Sequence, residues 1–548
     1  MKNLILFFVI GFCICNGDVF SQNTDWLWAK NVGGNLSEEG KCVTTDLDGN
    51  VYVVGSFNSS SIVFGNFTLI NNGLSDAFFV KYDSLGNVLW AKSVGDNLNE
   101  RAVSVTTDDM GNVYFVGDFD SQIIDFDGTQ LTNSYVDPDM FLAKYSSSGV
   151  LQWVTTSTGA GSEYARSVQV SQVGEIYIGG YLNGPLNTFG NITLISSGDF
   201  DVFIAKYDST GNALWAKAFG GTLSDQATFI AIDDSSNTYL TGNFSSPSIS
   251  FDNLSLTNTG QFDVFVTKFD SLGNALWAKA IGGAALETTA GVSVDAAGNV
   301  YLAGSFYDSI MVVDTFHLSN AGGSDIFISK LDNNGIAIWA KTINGTSFES
   351  ASALKCSLTG ETFIGGRYYG SSFTIGTTTM SNITAGQSDI FIAKFDTNGN
   401  ELWAKCGNDS GNSLLNSIAL NEAGNVYSTG SYTGTNMNFG NYAIQNAGAS
   451  DIFLAKMGNV ITGLEDILNQ DDFTLYPNPS SNTITFDLSN NSSVDITITD
   501  CSGKVVYSAF KNESQIWNVD ISNLTSGLYF AKVISNEVVR TNKLLVVR

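Results

Sequence analysis

At 548 residues, with 56 Gly, 5 Pro, 12% aromatic and 14% charged side chains, the chain has room for several domains. That composition suits many short strands joined by tight turns. Its formal charge of -28 argues against a nucleic-acid partner, leaves no basic patch for anionic lipid, and suits a soluble exported protein that can attract cations.

Residues 1–21 read as a secretory signal: Lys2 supplies the charge, residues 4–14 the apolar run, and Val19-Phe20-Ser21 the approach to cleavage near Gln22. Cys13 and Cys15 follow Phe12 and Ile14, where lipidation would want a small residue, so a lipid anchor is not expected. No later segment approaches the roughly 20 apolar residues of a membrane span, so none is expected. Cys42, Cys356, Cys406 and Cys501 show no CxxC spacing and read as isolated thiols in apolar sites.

Tryptophans at 28, 90, 153, 215, 277, 339 and 403 lie 62, 63, 62, 62, 62 and 64 residues apart, a period that means a solenoid or a propeller. Within residues 287–341 the pattern predicts strands over 289–294, 300–306, 325–331 and 336–341. Turns fall at Asp295-Ala-Ala-Gly-Asn299 and Asp332-Asn-Asn-Gly335, and a loop separates the second and third strands. The third strand carries constant columns: Asp76, Asp139, Asp201, Asp263, Asp325, Asp389 and Asp451, then a Phe two residues on and a Lys three further. In the second strand an aromatic residue such as Tyr301 precedes by three a glycine such as Gly304, placed for close backbone approach.

Four strands per unit and seven units predict an all-β, seven-bladed β-propeller over 22–458. The seventh unit lacks its Trp-Ala-Lys strand, and the chain opens with a spare one, Trp26-Leu-Trp-Ala-Lys30, which can close the last blade and remove two free edges. Gly298–Phe306 (Gly-Asn-Val-Tyr-Leu-Ala-Gly-Ser-Phe), Asp-Ile-Phe-Ile-Ser-Lys330 and Ile-Trp-Ala-Lys341 resemble the bacterial SBBP propeller repeats from Asp25 to about Gly458. The resemblance implies a fold and names no activity.

A polar connector is expected over 459–472, and a module of short alternating strands over 473–548, in the pattern of a small β-sandwich. Its Tyr476-Pro477-Asn478-Pro479 start, its Leu-x-x-Gly527-x-Tyr529 box and its closing run from Lys543 resemble the type A C-terminal sorting domain of the Bacteroidetes type IX secretion system. That resemblance implies partnership with the type IX machinery, passage through the periplasm and across the outer membrane, and release or attachment at the surface. A carbohydrate-binding sandwich is the other reading of this module, with Trp517 as its one aromatic candidate.

Chemistry is sparse. His317, the one histidine, is expected in a variable loop, so a histidine metal site or serine triad would rest on it alone. No phosphate loop or dinucleotide fingerprint occurs, and no cofactor is expected. Asp46-Leu-Asp-Gly-Asn50 lacks the distal Glu of a calcium loop and reads as a turn.

Glu38, Glu100, Glu163, Asp225, Glu287 and Glu349 recur at the start of the first strand, with Ser413 breaking the series. Such a ring could hold a cation; alternatively each acid hydrogen-bonds backbone at a blade junction, which the repetition favours. The third-strand Asp and Lys, with a second Lys two residues after Trp, read as inter-blade pairs. Arg101, Arg166, Arg367, Tyr368 and Tyr369 break the pattern and are the ligand candidates. Asp-Ser pairs at Ser84, Ser209, Ser271 and Ser309 resemble Bacteroidetes O-glycosylation sites. The expected function is a secreted or surface-bound, monomeric, non-enzymatic module binding a glycan or protein. A propeller enzyme acting on polysaccharide and a structural adhesin or matrix component are the alternatives.

Overall fold

A computed structural model describes residues 23–135, 137–460, 474–487, 494–500, 504–511, 516–535 and 538–548. The expected signal segment, Cys501 and nearly all of the connector lie outside them. The chain divides into two compact units, Thr24–Val460 and one that contains Ile461–Arg548.

In the first unit every tryptophan period builds an antiparallel meander of four strands, as in Glu287–Val294, Val300–Phe306, Asp325–Leu331 and Ala337–Ile343. The second and third strands are buried along nearly their whole length, Lys330 being the half-exposed position, because both faces of the sheet are covered and strict alternation has no use there. The fourth strand is half-exposed. The turn between first and second strands is closed by Asp295, whose Oδ1 accepts from the backbone N–H of Ala297 (3.0 Å) and Asn299 (2.8 Å). Asp46, in the calcium-like stretch, makes the same turn: its carboxylate accepts from Asn50 and from the Tyr52 hydroxyl, and Lys81 lies at 3.5 Å.

The constant columns have separate physical reasons. Gly304 lies directly across from Phe327, and a Cβ at Gly304 would come within 2.5 Å of the phenyl ring, so the close approach is made inside one sheet. The Trp277 indole lies over Gly335 (φ +79°) of the following unit and donates to the Asn333 carbonyl at 3.0 Å. Trp90, Trp153, Trp215 and Trp339 repeat that link to Ser147, Ser209, Ser271 and Thr397. The 62-residue period is therefore the spacing at which one sheet grips the next.

Two expectations need correction. The second-to-third-strand segment is a short hairpin, Ile310–Val313 with Phe316–Ser319, which places His317 in a strand opposite Val312. The third-strand Lys serves its own sheet and the next: Lys330 lies 3.8 Å from Asp295 and over the Tyr301 ring, while Lys81 and Lys206 donate to the Ser147 and Ser271 carbonyls of the following sheet, each at 3.0 Å. The Lys after Trp does bridge sheets, but to hairpin-corner acids, as in Lys92 to Asp127 (2.8 Å) and Lys217 to Asp252 (3.0 Å). Neither uses the third-strand Asp.

Asn23–Val32 joins the sheet of Ser413–Leu420, Val426–Tyr432 and Asp451–Val460 as its outer strand, next to Asp451–Val460. First strands of successive sheets touch in order, and the last, Ser413–Leu420, touches the first, Glu38–Thr45. Across that closing contact the Glu38 N–H donates to the Ser450 carbonyl (2.9 Å), the Val43 N–H to Ser417 Oγ (3.2 Å), and Lys456 Nζ to the Ser84 carbonyl (3.0 Å). The array is closed and propeller-like.

The second unit holds two antiparallel sheets. One contains Thr474–Tyr476, Thr483–Asp487 and Trp517–Asp520; the other contains Val505–Lys511, Val494–Asp500, Gly527–Ser535 and Val538–Val546. Ile484, Phe486 and Val519 from the first share one apolar core with Ile496, Ile498, Ala531 and Leu544 from the second.

Candidate functional site

The six expected ring acids are all buried, and the structure does not bring them to one point. Glu38, Glu100, Asp225 and Glu287 turn back on the loop before their own strand. Glu38 accepts from the N–H of Gly34 (2.8 Å) and Ser59 (3.1 Å), Glu100 from Asp96 (3.0 Å) and Ser121 (3.2 Å). Asp225 accepts from Gly221 (2.8 Å), Ser245 and Ser246, Glu287 from Gly283 (3.2 Å), and Glu163 from the Ser157 hydroxyl (2.8 Å). Among the described residues no three His, Cys, Asp or Glu side chains are grouped to hold a metal ion.

What the acids do meet is the third-strand Asp of the preceding sheet: Asp76 with Glu100, Asp139 with Glu163, Asp263 with Glu287, Asp325 with Glu349, and across the closure Asp451 with Glu38. Where Ser413 replaces the acid, Asp389 faces Asp409 instead, whose N–H donates to it at 2.7 Å. Asp409 thus supplies a carboxylate at the junction that Ser413 leaves without its ring acid. Burial first, and the neighbouring carboxylate after it, pushes Glu287 and Glu349 up to about 7 and Asp76 and Asp389 up to about 6. Burial raises Asp139 and Glu163 as well; a hydrogen bond with Glu163 opposes the rise at Asp139, whereas the Asp139 charge adds to the rise at Glu163.

Asp263 Oδ1, Glu287 Oε1 and both oxygens of Glu349 lack hydrogen-bond partners, and a proton held between the paired carboxyls would supply them. Groups raised in the folded state keep their protons where the unfolded chain has lost them. Their stabilisation is complete below about pH 4 and is lost as pH rises through 6 to 7. Turn acids act oppositely at lower pH. The backbone N–H of Asn400 holds Asp396 below its ordinary range, and that contribution is lost as pH falls through the depressed value. The melting temperature is therefore expected to rise from pH 8 to a maximum near pH 5. Glu287→Gln should raise stability at pH 8 by on the order of 1–3 kcal/mol and flatten the slope by one group. A protein most stable at pH 8, or a steep calcium dependence, would contradict the shared proton.

The second feature lies where the first strands converge. Each first strand carries a bulge that leaves one residue out of the ladder: Lys41, Val103, Arg166, Thr228, Ala290, Ser352 and Asn416. A bulge re-aims its residue, and all seven of these line a cavity of about 350 Å³ walled by every first strand.

Two of the pattern-breaking arginines meet beside this cavity, Arg166 from its wall and Arg101 from outside it. Arg101 Nη1 and Arg166 Nη1 both donate to the fully buried Asp118, at 2.6 and 3.0 Å. Arg166 also donates to the Tyr181 hydroxyl and lies against the rings of Tyr164 (5.0 Å) and Tyr181 (4.9 Å). Phe200 completes a half-exposed aromatic cluster, 6.0 Å from Tyr164 and 5.3 Å from Tyr181. Asp118, Tyr164, Tyr181 and Phe200 were not expected. Asp118 and Tyr181 follow directly on Gly117 and Gly180, in a column that varies (Ser56, Asn243, Ser305, Arg367, Ser431) beside one that does not. Arg367 and Tyr369 pair with each other in the sixth unit, with the guanidinium 5.5 Å from the ring centre. Tyr368 is buried in the core, in the place held by Phe57 and Phe306, and is no ligand candidate.

In the C-terminal module Asn478 ties the Tyr-Pro-Asn-Pro start to the last strand. Its Nδ2 donates to the Lys543 carbonyl (2.6 Å) and its Oδ1 accepts from the Leu545 N–H (2.9 Å). Tyr529 is buried and donates to the Thr525 carbonyl (3.0 Å), closing the Gly527-x-Tyr529 box; Tyr476 and Lys543 are exposed. Residues 474–547 match the secretion system C-terminal sorting domain family. They are a type IX secretion sorting domain. The sorting domain engages the type IX machinery, and the protein is exported to the cell surface or the medium. Among the described residues no helix is long and apolar enough to cross a membrane.

The chain is similar to an uncharacterized WD repeat-containing protein of Acanthamoeba polyphaga mimivirus, 25% identical over 80% of this chain and 39% of the relative. It is also similar to the regulatory protein FlaEY of Caulobacter vibrioides, 25% identical over 56% of this chain and 34% of that one. The chain spans well under half the length of these curated relatives. Among solved structures, puromycin hydrolase matches 82% of this chain and 59% of its own at 9% identity and a TM-score of 0.39. Cobalt-substituted Synechocystis ACO matches 80% of this chain and 95% of its own at 9% identity and a TM-score of 0.37.

Proposed function

We propose that this is a seven-bladed β-propeller of SBBP-type repeats carrying a sandwich-like sorting domain, and that it works outside the cell as a non-enzymatic binding module. The observation that carries the reading is the break in symmetry around Arg166, a residue of the cavity wall. The ring acid recurs in six of the seven units, whereas Arg101, Asp118, Tyr164, Arg166 and Tyr181 occur in the second and third units alone. Donors fixed by a buried carboxylate, beside half-exposed aromatic rings, make a pre-organised recognition surface.

A glycan and protein array probed with the purified protein tests this. A ligand is expected that Arg101→Ala weakens at least tenfold without lowering the melting temperature, since Arg166 still pairs Asp118. Array binding that Arg101→Ala and Tyr181→Ala leave untouched would move function away from this cluster. A second reading, an enzyme acting on polysaccharide, draws on the Tyr181 hydroxyl held against Arg166. Release of shortened oligosaccharides by the purified protein would favour it.

A further inference from the structure

We propose that the channel takes the carboxylate-bearing end of an acidic saccharide, a uronate chain; this rests on the binding-module reading above. In a chain with 53 Asp and Glu against 25 Lys and Arg, the cavity wall carries Lys41, Arg166 and Lys355 and no acid. Two of the three are partly neutralised from outside the wall, Lys41 by Glu39 (2.7 Å) and Arg166 by Asp118. Among the described residues Lys355 has no acidic partner within ion-pair distance, so its half-buried ammonium lacks a counter-charge. The three sit in the first, third and sixth units, so no repeat constraint accounts for them.

The rest of the wall mixes hydroxyl and amide groups, among them Thr44, Thr106 and Gln169, with apolar side chains such as Val105 and Phe229, a lining that suits the polar edges and C–H faces of a sugar. At about 350 Å³ the cavity is in the range of small-molecule sites, roughly 300–1,000 Å³, and would hold the end of a chain. Tyr164 and Tyr181 lie against the wall residue Arg166, with Phe200 beside them, and the ring faces that Arg166 leaves free can meet the C–H faces of the following sugar. An acidic peptide would satisfy the cations but would leave the wall's hydroxyl and amide groups and the neighbouring aromatic rings without matched partners.

Titration calorimetry on the full exported chain tests the assignment, with galacturonate and mannuronate trisaccharides, the neutral galactose and mannose trisaccharides, and a pentaglutamate peptide as probes. At least one uronate is expected to bind and to weaken as salt rises. Lys355→Gln should weaken it at least tenfold with the melting temperature unchanged, and Arg166→Gln should weaken it further if that variant stays folded. Equal binding of a neutral trisaccharide, tighter binding of the peptide, or a uronate affinity indifferent to Lys355→Gln would overturn the ligand class. If no uronate binds while an Arg101-dependent array ligand of another class exists, the ligand class fails and the binding-module reading stands. If neither exists, both fail.

Discussion

A chain lacking residues 473–548 is expected to fold its repeat array and remain in the periplasm, with no surface or secreted protein. The array buries its own apolar clusters from Trp26 to Met457 and closes on itself through strands that all lie before Ile461. The sorting domain likewise has its own core, so its removal leaves no cavity in the array's core. Fractionation with protease accessibility measures the outcome, and normal surface levels of the truncated chain would refute the export assignment. Asn478→Ala is a milder test. It removes two hydrogen bonds between the motif and the last strand, about 0.5–1.5 kcal/mol each, and should lower export without affecting the array.

Loss of residues 23–30 is expected to be the most damaging truncation of the array. Trp26 is only 5% exposed, packs edge-on against Phe439 at 4.7 Å, and belongs to the core of the seventh sheet. Asn31, just past the deletion, donates to the Gln445 carbonyl, and Asp25 receives Lys405 at 3.4 Å, so the strand also links the sheet to its outer hairpin and to the sixth sheet. Without it Asp451–Val460 becomes a free edge able to pair with other chains. Trp26→Ala alone should cost about 3–5 kcal/mol, as for other buried tryptophans. Calorimetry should show a lower and broader transition for the truncated chain, and size exclusion should show association. Unchanged melting of a monomer would mean that the seventh sheet does not depend on its borrowed strand.

Much of the array was legible because its determinants are local or periodic. Asp295 closes a turn with groups two and four residues away, and the Gly304–Phe327 and Trp277–Gly335 contacts recur at a fixed spacing, so columns betray them. The spare Trp-Ala-Lys strand announced the closure, since a strand missing from one end was present at the other. The hairpin around His317 was missed because its four-residue strands, Ile310–Val313 and Phe316–Ser319, are shorter than a period-two pattern needs in order to stand out.

The acids divide the two kinds of information most clearly. Sequence alone determined that Glu38, Glu100, Glu163, Asp225, Glu287 and Glu349 occupy equivalent positions, and that the third-strand Asp column is invariant in all units. It paired that column with lysines, because opposite charges are the obvious partners. Only the tertiary structure decided that the two acid columns face each other across the sheet junctions, that Asp409 supplies the acid where Ser413 does not, and that Arg101 and Arg166 meet on Asp118. The reason is geometric. The partners of Glu287 and Arg166 belong to the neighbouring unit, 24 and 48 positions away, and which group each meets depends on how one sheet twists over the next.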